Sequence, residues 1–227
     1  MTNVGLSEDQ FKEAKKAILR EAPALHKPYM ELMQFLAAHP NYRGKIRGKN
    51  PPVFGSTEYF QKTAEKFHRG RVISRPKNSG KTTDPLLIQL FGDLNALSES
   101  EVKRATKHHG DFMVLENVVG KILENYLASR LEPSGWVWCS GDFVEKVDFI
   151  FRVNSETFSI LQVKNKDVTE NSSSSAGRKD VPKWARLKGK TARPNWDEFP
   201  DSKARDLLSE EDFLLHGYEI GASWFSK

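Results

Sequence analysis

Residues 147–166 read VDFIFRVNSETFSILQVKNK, and the fold turns on how this stretch pairs with itself. VDFIFRV and TFSILQVKN have the length and the β-branched or aromatic content of strands, and Asn154-Ser155-Glu156 between them is a turn signal. Side chains alternate along a strand, so Gln162 and Lys164 share one face. A hairpin centred on Ser155 sets position 148 opposite position 162, and Asp148, Gln162 and Lys164 then converge on one patch. The turn is imperfect, and a bulge there shifts the pairing.

Working outward, the chain on the N-terminal side is helical. In the segment 111–130, Phe112, Leu115, Val119, Ile122, Leu123, Tyr126 and Leu127 form one apolar stripe. Glu116 falls roughly 40° from Phe112 on the helical wheel, inside that stripe, where a carboxylate is costly unless a cation or hydrogen bonds meet it. Gly120, one turn later, allows a close approach of this helix to a sheet. His108-His109 reads as the end of a preceding helix. Further upstream, Ser7 and Gln10 make a capping box, Pro28 suits a first helical position, and Asp84-Pro85 opens LLIQLFGDLNAL. GWVWCSG, with Trp136 and Trp138, reads as another core strand. Helices followed by clustered strands indicate an α/β (α+β) protein with a mixed sheet flanked by helices. The expected division is a mainly helical region 1–110 with basic loops and a core 111–227, together forming one domain.

Composition narrows the function classes. The 227 residues carry a net charge of +5, with 38% hydrophobic and 29% charged residues, which excludes a disordered or fibrous chain. No apolar run approaches the roughly 18 residues that span a bilayer, and the start, MTNVGLSEDQFKEAKK, has no apolar leader core. A cytoplasmic protein with no membrane partner is expected. The single Cys139 cannot form an internal disulfide. Charge is unevenly placed: residues 41–83 hold eleven Lys/Arg against two acids, and residues 164–193 hold nine against three. Two basic blocks on an otherwise acidic chain suit a polyanion such as double-stranded DNA. Ser79-Gly80-Lys81-Thr82-Thr83 resembles the end of a phosphate-binding loop, but Arg75 stands where the motif needs its first glycine, so no nucleotide cofactor is expected.

A helix carboxylate, a strand carboxylate, an amide oxygen and a lysine together suit metal-assisted phosphodiester hydrolysis. Hard oxygen ligands hold Mg²⁺ while leaving it water and a phosphate oxygen, and a lysine orients the attacking water or stabilises charge on phosphorus. Asp148, Gln162 and Glu116 are the metal-ligand candidates and Lys164 the candidate catalytic lysine.

These residues resemble a known family. Asp148 followed by Gln162-Val163-Lys164 is similar to the PD-(D/E)xK nuclease core. FMVLENVVGKILENYLASRL, GWVWCSGDFVEKVDFI, LQVKNKDVTENSSSSAGR and KWARL resemble the SinI/AvaII-type restriction endonucleases over residues 110–188. The resemblance implies a restriction-endonuclease-like core and a type II enzyme that cuts double-stranded DNA at GGWCC, where W is A or T, with Mg²⁺. It further implies 5′-phosphate ends and a homodimer, one active site per strand. Asp148 would be the metal-binding acid, Lys164 the catalytic lysine, and Glu116 the core-helix glutamate. Two departures from the superfamily pattern stand out: Val147 occupies the usual proline position, and Gln162 replaces a carboxylate. Glu116, Asp142 and Glu145 are candidates to restore the missing charge.

The polar run after Lys164 then reads as a recognition loop. Asn165, Asp167, Glu170 and Asn171 are candidates to read base edges, Arg178 or Lys179 to meet guanine, Ser172, Ser173 and Ser174 to bond phosphates or each other's backbone, and Lys166 is a further DNA-binding candidate. Two other readings compete: a DNA-binding protein without catalysis, for which the basic blocks suffice, and a decayed or different PD-(D/E)xK protein, for which Gln162 is the sign.

Overall fold

The computed structural model describes residues 5–76, 93, 95, 97–167 and 181–225. Asp84-Pro85, the 79–83 motif and residues 168–180 of the expected recognition loop lie outside the described residues. Helix α1 (Glu8–Glu21) starts at the expected box, the Ser7 hydroxyl accepting from Gln10 N and the Gln10 side chain accepting from Ser7 N. Helix α2 (His26–Ala38) follows a 3-10 turn at Pro23–Leu25, so Pro28 is its third residue and not its first. The position is tolerated because N–H groups of the first turn have no intrahelical acceptor. Helix α3 (Thr57–Arg69) is capped by Ser56 and locked to α2 by the Tyr29 hydroxyl, which donates to Phe60 O at 2.9 Å and lies 2.8 Å from Thr63 Oγ1.

Helix α4 (Glu99–Leu131) has 33 residues and opens on a second capping box, Ser98 with Glu101. It is longer than the 111–130 segment expected: His108 and His109 lie inside it, as does the expected boundary at 110/111. Its first turns contain no proline, and an i,i+4 ion pair between Glu99 and Lys103 favours continuation.

The sheet has five strands in sequential order: β1 (Trp136–Trp138), β2 (Phe149–Arg152), β3 (Phe158–Lys166), β4 (Lys183–Lys188) and β5 (Arg193–Pro194). All neighbours are antiparallel except β3 and β4, which run parallel. Alternation sorts the strand side chains between two cores. Val137 and Ile150, with Ile160 packed beside them, meet α1, α2 and α3, whereas Trp136, Trp138, Phe149, Leu161 and Val163 meet the second half of α4 and helix α5 (Glu210–Ser223). The result is the expected α+β class, a mixed sheet between a helical N-terminal half and two later helices. No helix among the described residues is long and apolar enough to cross a membrane.

Candidate active site

The hairpin pairs in the register expected from its symmetry. Phe149 faces Leu161 and Ile150 faces Ile160, which sets Asp148, just before β2, against Gln162. Asp148 is fixed from three sides: its N–H donates to Leu161 O at 3.0 Å, its carbonyl accepts from Cys139 N at 2.9 Å, and its carboxylate Oδ2 accepts from Val163 N at 2.7 Å. Such backbone anchoring helps fix the carboxylate, as a preorganised site requires. Asp148, Gln162 and Lys164 line one open cleft of about 760 Å³ at the end of β1. Lys121 and Glu124 of α4, Cys139 and the loop 141–148 complete its wall. That loop is tightly folded. Gly141 has φ +99° and a Cβ there would lie 2.8 Å from the Phe143 ring, while Lys146 adopts φ 71°, a left-handed conformation uncommon for a non-glycine residue.

Two observations define the chemistry of the cleft. Gln162 is only 3% exposed, and its buried Oε1 has no hydrogen-bond partner among the described residues. Leaving a buried amide oxygen unpaired is costly, and a lone acceptor beside a cleft suits a cation or a bound water. Negative charge also gathers there. The Cys139 thiol is pushed well up, first by burial and then by Asp148, against an opposing effect of Arg71, with smaller contributions from Glu124 and Glu132. The thiol is therefore an inert part of the wall. Glu124 accepts from Trp138 Nε1 at 2.9 Å and lies 3.6 Å from Lys121 Nζ, so its carboxylate is held at the cleft.

Comparison with known proteins places this geometry. A family described as SinI restriction endonuclease matches residues 11–219. The type II restriction enzyme Eco47I of Escherichia coli is 37% identical over 195 residues, covering 84% of this chain and 85% of that protein. The type II restriction enzyme SinI of Salmonella infantis is 36% identical over 207 residues, covering 88% and 89%. The chain belongs to the SinI restriction endonuclease family. Its function is endonucleolytic cleavage of DNA, and the reading as a DNA-binding protein without catalysis is set aside.

Within this family member the structure brings together three of the four site residues expected from sequence. Glu116 is the exception: it is exposed and does not line the cleft. The apolar stripe that seemed to enclose it is not uniformly buried, since Phe112 is 69% and Leu115 46% exposed, whereas Ile122, Leu123, Tyr126 and Leu127 are buried. The helix carboxylate at the cleft is Glu124, two turns later. Its sequence signal was its place amid the buried run Ile122 to Leu127, three residues after Lys121. Asp142 and Glu145 are exposed at the cleft mouth, with Asp142 paired to Lys66. Asn165 is also corrected. Alternation turns it to the face opposite Lys164, where its amide oxygen accepts from Arg186 Nε at 3.0 Å, so this side chain serves the fold. Lys166 and Asp167 are exposed at the strand end. Glu170, Asn171, Ser172, Ser173, Ser174, Arg178 and Lys179 lie outside the described residues.

No cluster of three or more His, Cys, Asp or Glu side chains able to hold a metal occurs among the described residues. The oxygen donors that line the cleft and could hold a metal are the carboxylates of Asp148 and Glu124 and the amide oxygen of Gln162. All are hard oxygen donors, which fits Mg²⁺ retaining several waters.

Proposed function

We propose that the cleft hydrolyses one phosphodiester linkage of double-stranded DNA within a short specific site, with Mg²⁺ as cofactor and 5′-phosphate ends as product. The single observation carrying this reading is the unpaired, buried Gln162 Oε1 set opposite the backbone-anchored Asp148 carboxylate. Asp148, Gln162 and Glu124 would hold the metal, whose positive charge would offset charge developing on phosphorus and make bound water more acidic. Lys164 shares the face of Gln162 and lines the same cleft, where its ammonium orients the attacking water and stabilises negative charge on the phosphate oxygens. Trp138 Nε1 holds the Glu124 carboxylate in place, and Val163 N does the same for Asp148. Gln162 thus retains an oxygen donor where the PD-(D/E)xK pattern has a carboxylate, which argues against decay of the site.

The resemblance over residues 110–188 supports GGWCC as the site. A near-palindromic target supports a homodimer in the cytoplasm, each copy cutting one strand. Base readout is assigned to the segment from Lys166 to Lys179, which leaves β3 directly beyond the catalytic lysine. Digestion of duplexes carrying GGWCC and, separately, GGSCC (S is G or C) in Mg²⁺ tests the assignment: cutting of the first alone is expected, and equal cutting of both would refute the site. Asp148→Ala and Lys164→Ala should each abolish cleavage while retaining salt-sensitive DNA binding. Near-parental cutting by either would remove that residue from the mechanism.

A further inference from the structure

The basic segment after α2 docks on the loop that walls the cleft. Arg43 bridges Val144 in antiparallel fashion, Gly44 N donates to Phe143 O at 2.8 Å, and Glu145 N donates to Tyr42 O at 2.9 Å. The contact is close: a Cβ at Gly44 would lie 2.9 Å from Asp142 O and from Phe143 C. Along the next residues, burial alternates. Gly44 and Ile46 face inward, Ile46 joining the first core, and Lys45 and Arg47 are exposed on the other side. The antiparallel bridge brings Lys45 toward Asp142, which lines the cleft, and Arg47 lies close enough to Asp142 to act on its carboxylate.

The bases of this segment divide by use. Arg43 is spent on the fold, its guanidinium donating to Leu36 O and Ala37 O and lying 3.6 Å over the Phe54 ring. Lys45 and Arg47 make no ion pair among the described residues. Of the acids beside them, Asp142 is neutralised by Lys66, whose ammonium holds its carboxyl below the ordinary range with a smaller contribution from Arg47, and Glu145 is exposed further along the loop. The strip therefore keeps its positive charge, and the buried Ile46 and Gly44 hold it beside the loop that walls the cleft.

We propose that Lys45 and Arg47 form a sequence-independent phosphate-binding strip that grips the DNA backbone flanking the linkage held in the cleft. The proposal rests on the reading of that cleft as the cutting site, but its test does not pass through hydrolysis. Binding of a short fluorescent duplex is measured without divalent metal across a salt series, for the parent, for Lys45→Ala/Arg47→Ala, and for Lys15→Ala/Lys16→Ala. The last pair removes the same charge from the exposed face of α1. Each phosphate contact contributes about 0.9 to the slope of log affinity against log salt, so the strip variant should lower that slope by about 1.8 and the control by nothing. The loss should be equal on duplexes with and without GGWCC. An unchanged slope, an equal fall in the control, or a loss confined to the GGWCC duplex would overturn the proposal. Matching melting temperatures for both double variants, expected because all four side chains are exposed, secure the comparison. Inactivity of the Asp148 and Lys164 variants bears on the cleft chemistry alone, so the two readings fail separately.

Discussion

At the scale of single residues, the proposed chemistry of the cleft turns on the Gln162 amide oxygen, which has no partner among the described residues. Replacing Gln162 by Glu supplies a charged ligand at that position, and charge count is what tunes hard-cation sites. Gln162→Glu should therefore lower the Mg²⁺ concentration for half-maximal cleavage by roughly tenfold. It should also destabilise the metal-free protein, because a carboxylate would be buried at a position 3% exposed. A titration of cleavage rate and a urea melt in chelator check both, and an unchanged Mg²⁺ requirement would take Gln162 out of the ligand set. Asp201 supplies a pH prediction. Its carboxylate accepts from Trp136 Nε1 at 2.9 Å, and chiefly for that reason its acidity is increased below the ordinary aspartate value of 3.8. A depressed carboxyl stabilises the fold above its unfolded value and loses that contribution as pH falls through the folded value. Asp201→Asn should thus be less stable than the parent at pH near 6, with the gap closing below about pH 4 in thermal melts. Asp148, Gln162 and Lys164 were legible in the sequence because strand alternation and the position of Ser155 determine their pairing. Glu124 was not, because periodicity reveals an apolar stripe without showing where along the helix its burial begins.

At the scale of elements, α4 and the sheet depend on each other unevenly. Helix α4 meets the sheet only through its second half, where Leu123, Tyr126, Leu127 and Leu131 are fully buried, and it is this half that delivers Glu124. The link between β4 and α5 is the more fragile. Arg186, 7% exposed, pairs with Glu210, bonds Asn165 and stacks over the Phe213 ring, while Glu210 also accepts from Trp196 Nε1. Removing one partner of such a pair leaves a buried charge uncompensated, so Glu210→Ala should cost about 3–5 kcal/mol in a urea unfolding experiment. A loss within about 0.5 kcal/mol, the range of ordinary surface changes, would show the pair to be solvated. The helical half, the hairpin and the Trp136/Trp138 strand could be recognised from residue periods and caps. The length of α4 could not, since nothing between Gly110 and Asp111 stops a helix and no local signal says that it continues. Asn165 was misassigned for a related reason: its partner Arg186 is 21 residues away, on the neighbouring strand.

At the scale of the whole molecule, the sheet contributes side chains to both cores and so links the helical N-terminal half to the later half. Val137 and Ile150 contribute to one core while Trp136, Trp138 and Phe149 on the same strands contribute to the other. We therefore expect a single cooperative urea transition, identical by far-ultraviolet circular dichroism and by tryptophan fluorescence. Two separated transitions would instead mark residues 1–110 as a domain of its own. Cleavage and binding should likewise respond together to salt, because the strip at Lys45 and Arg47 and the cleft share the loop 141–148. The buried Cys139 bears on how copies of the chain associate. It is the only sulfhydryl in the sequence, it is buried in the cleft wall, and burial suppresses its ionisation, so folded chains are not expected to join through sulfur. Any two-fold assembly of this enzyme must be non-covalent, will migrate as one chain in a denaturing gel run without reductant, and offers a background free of native thiol labelling for cysteines introduced at its surface.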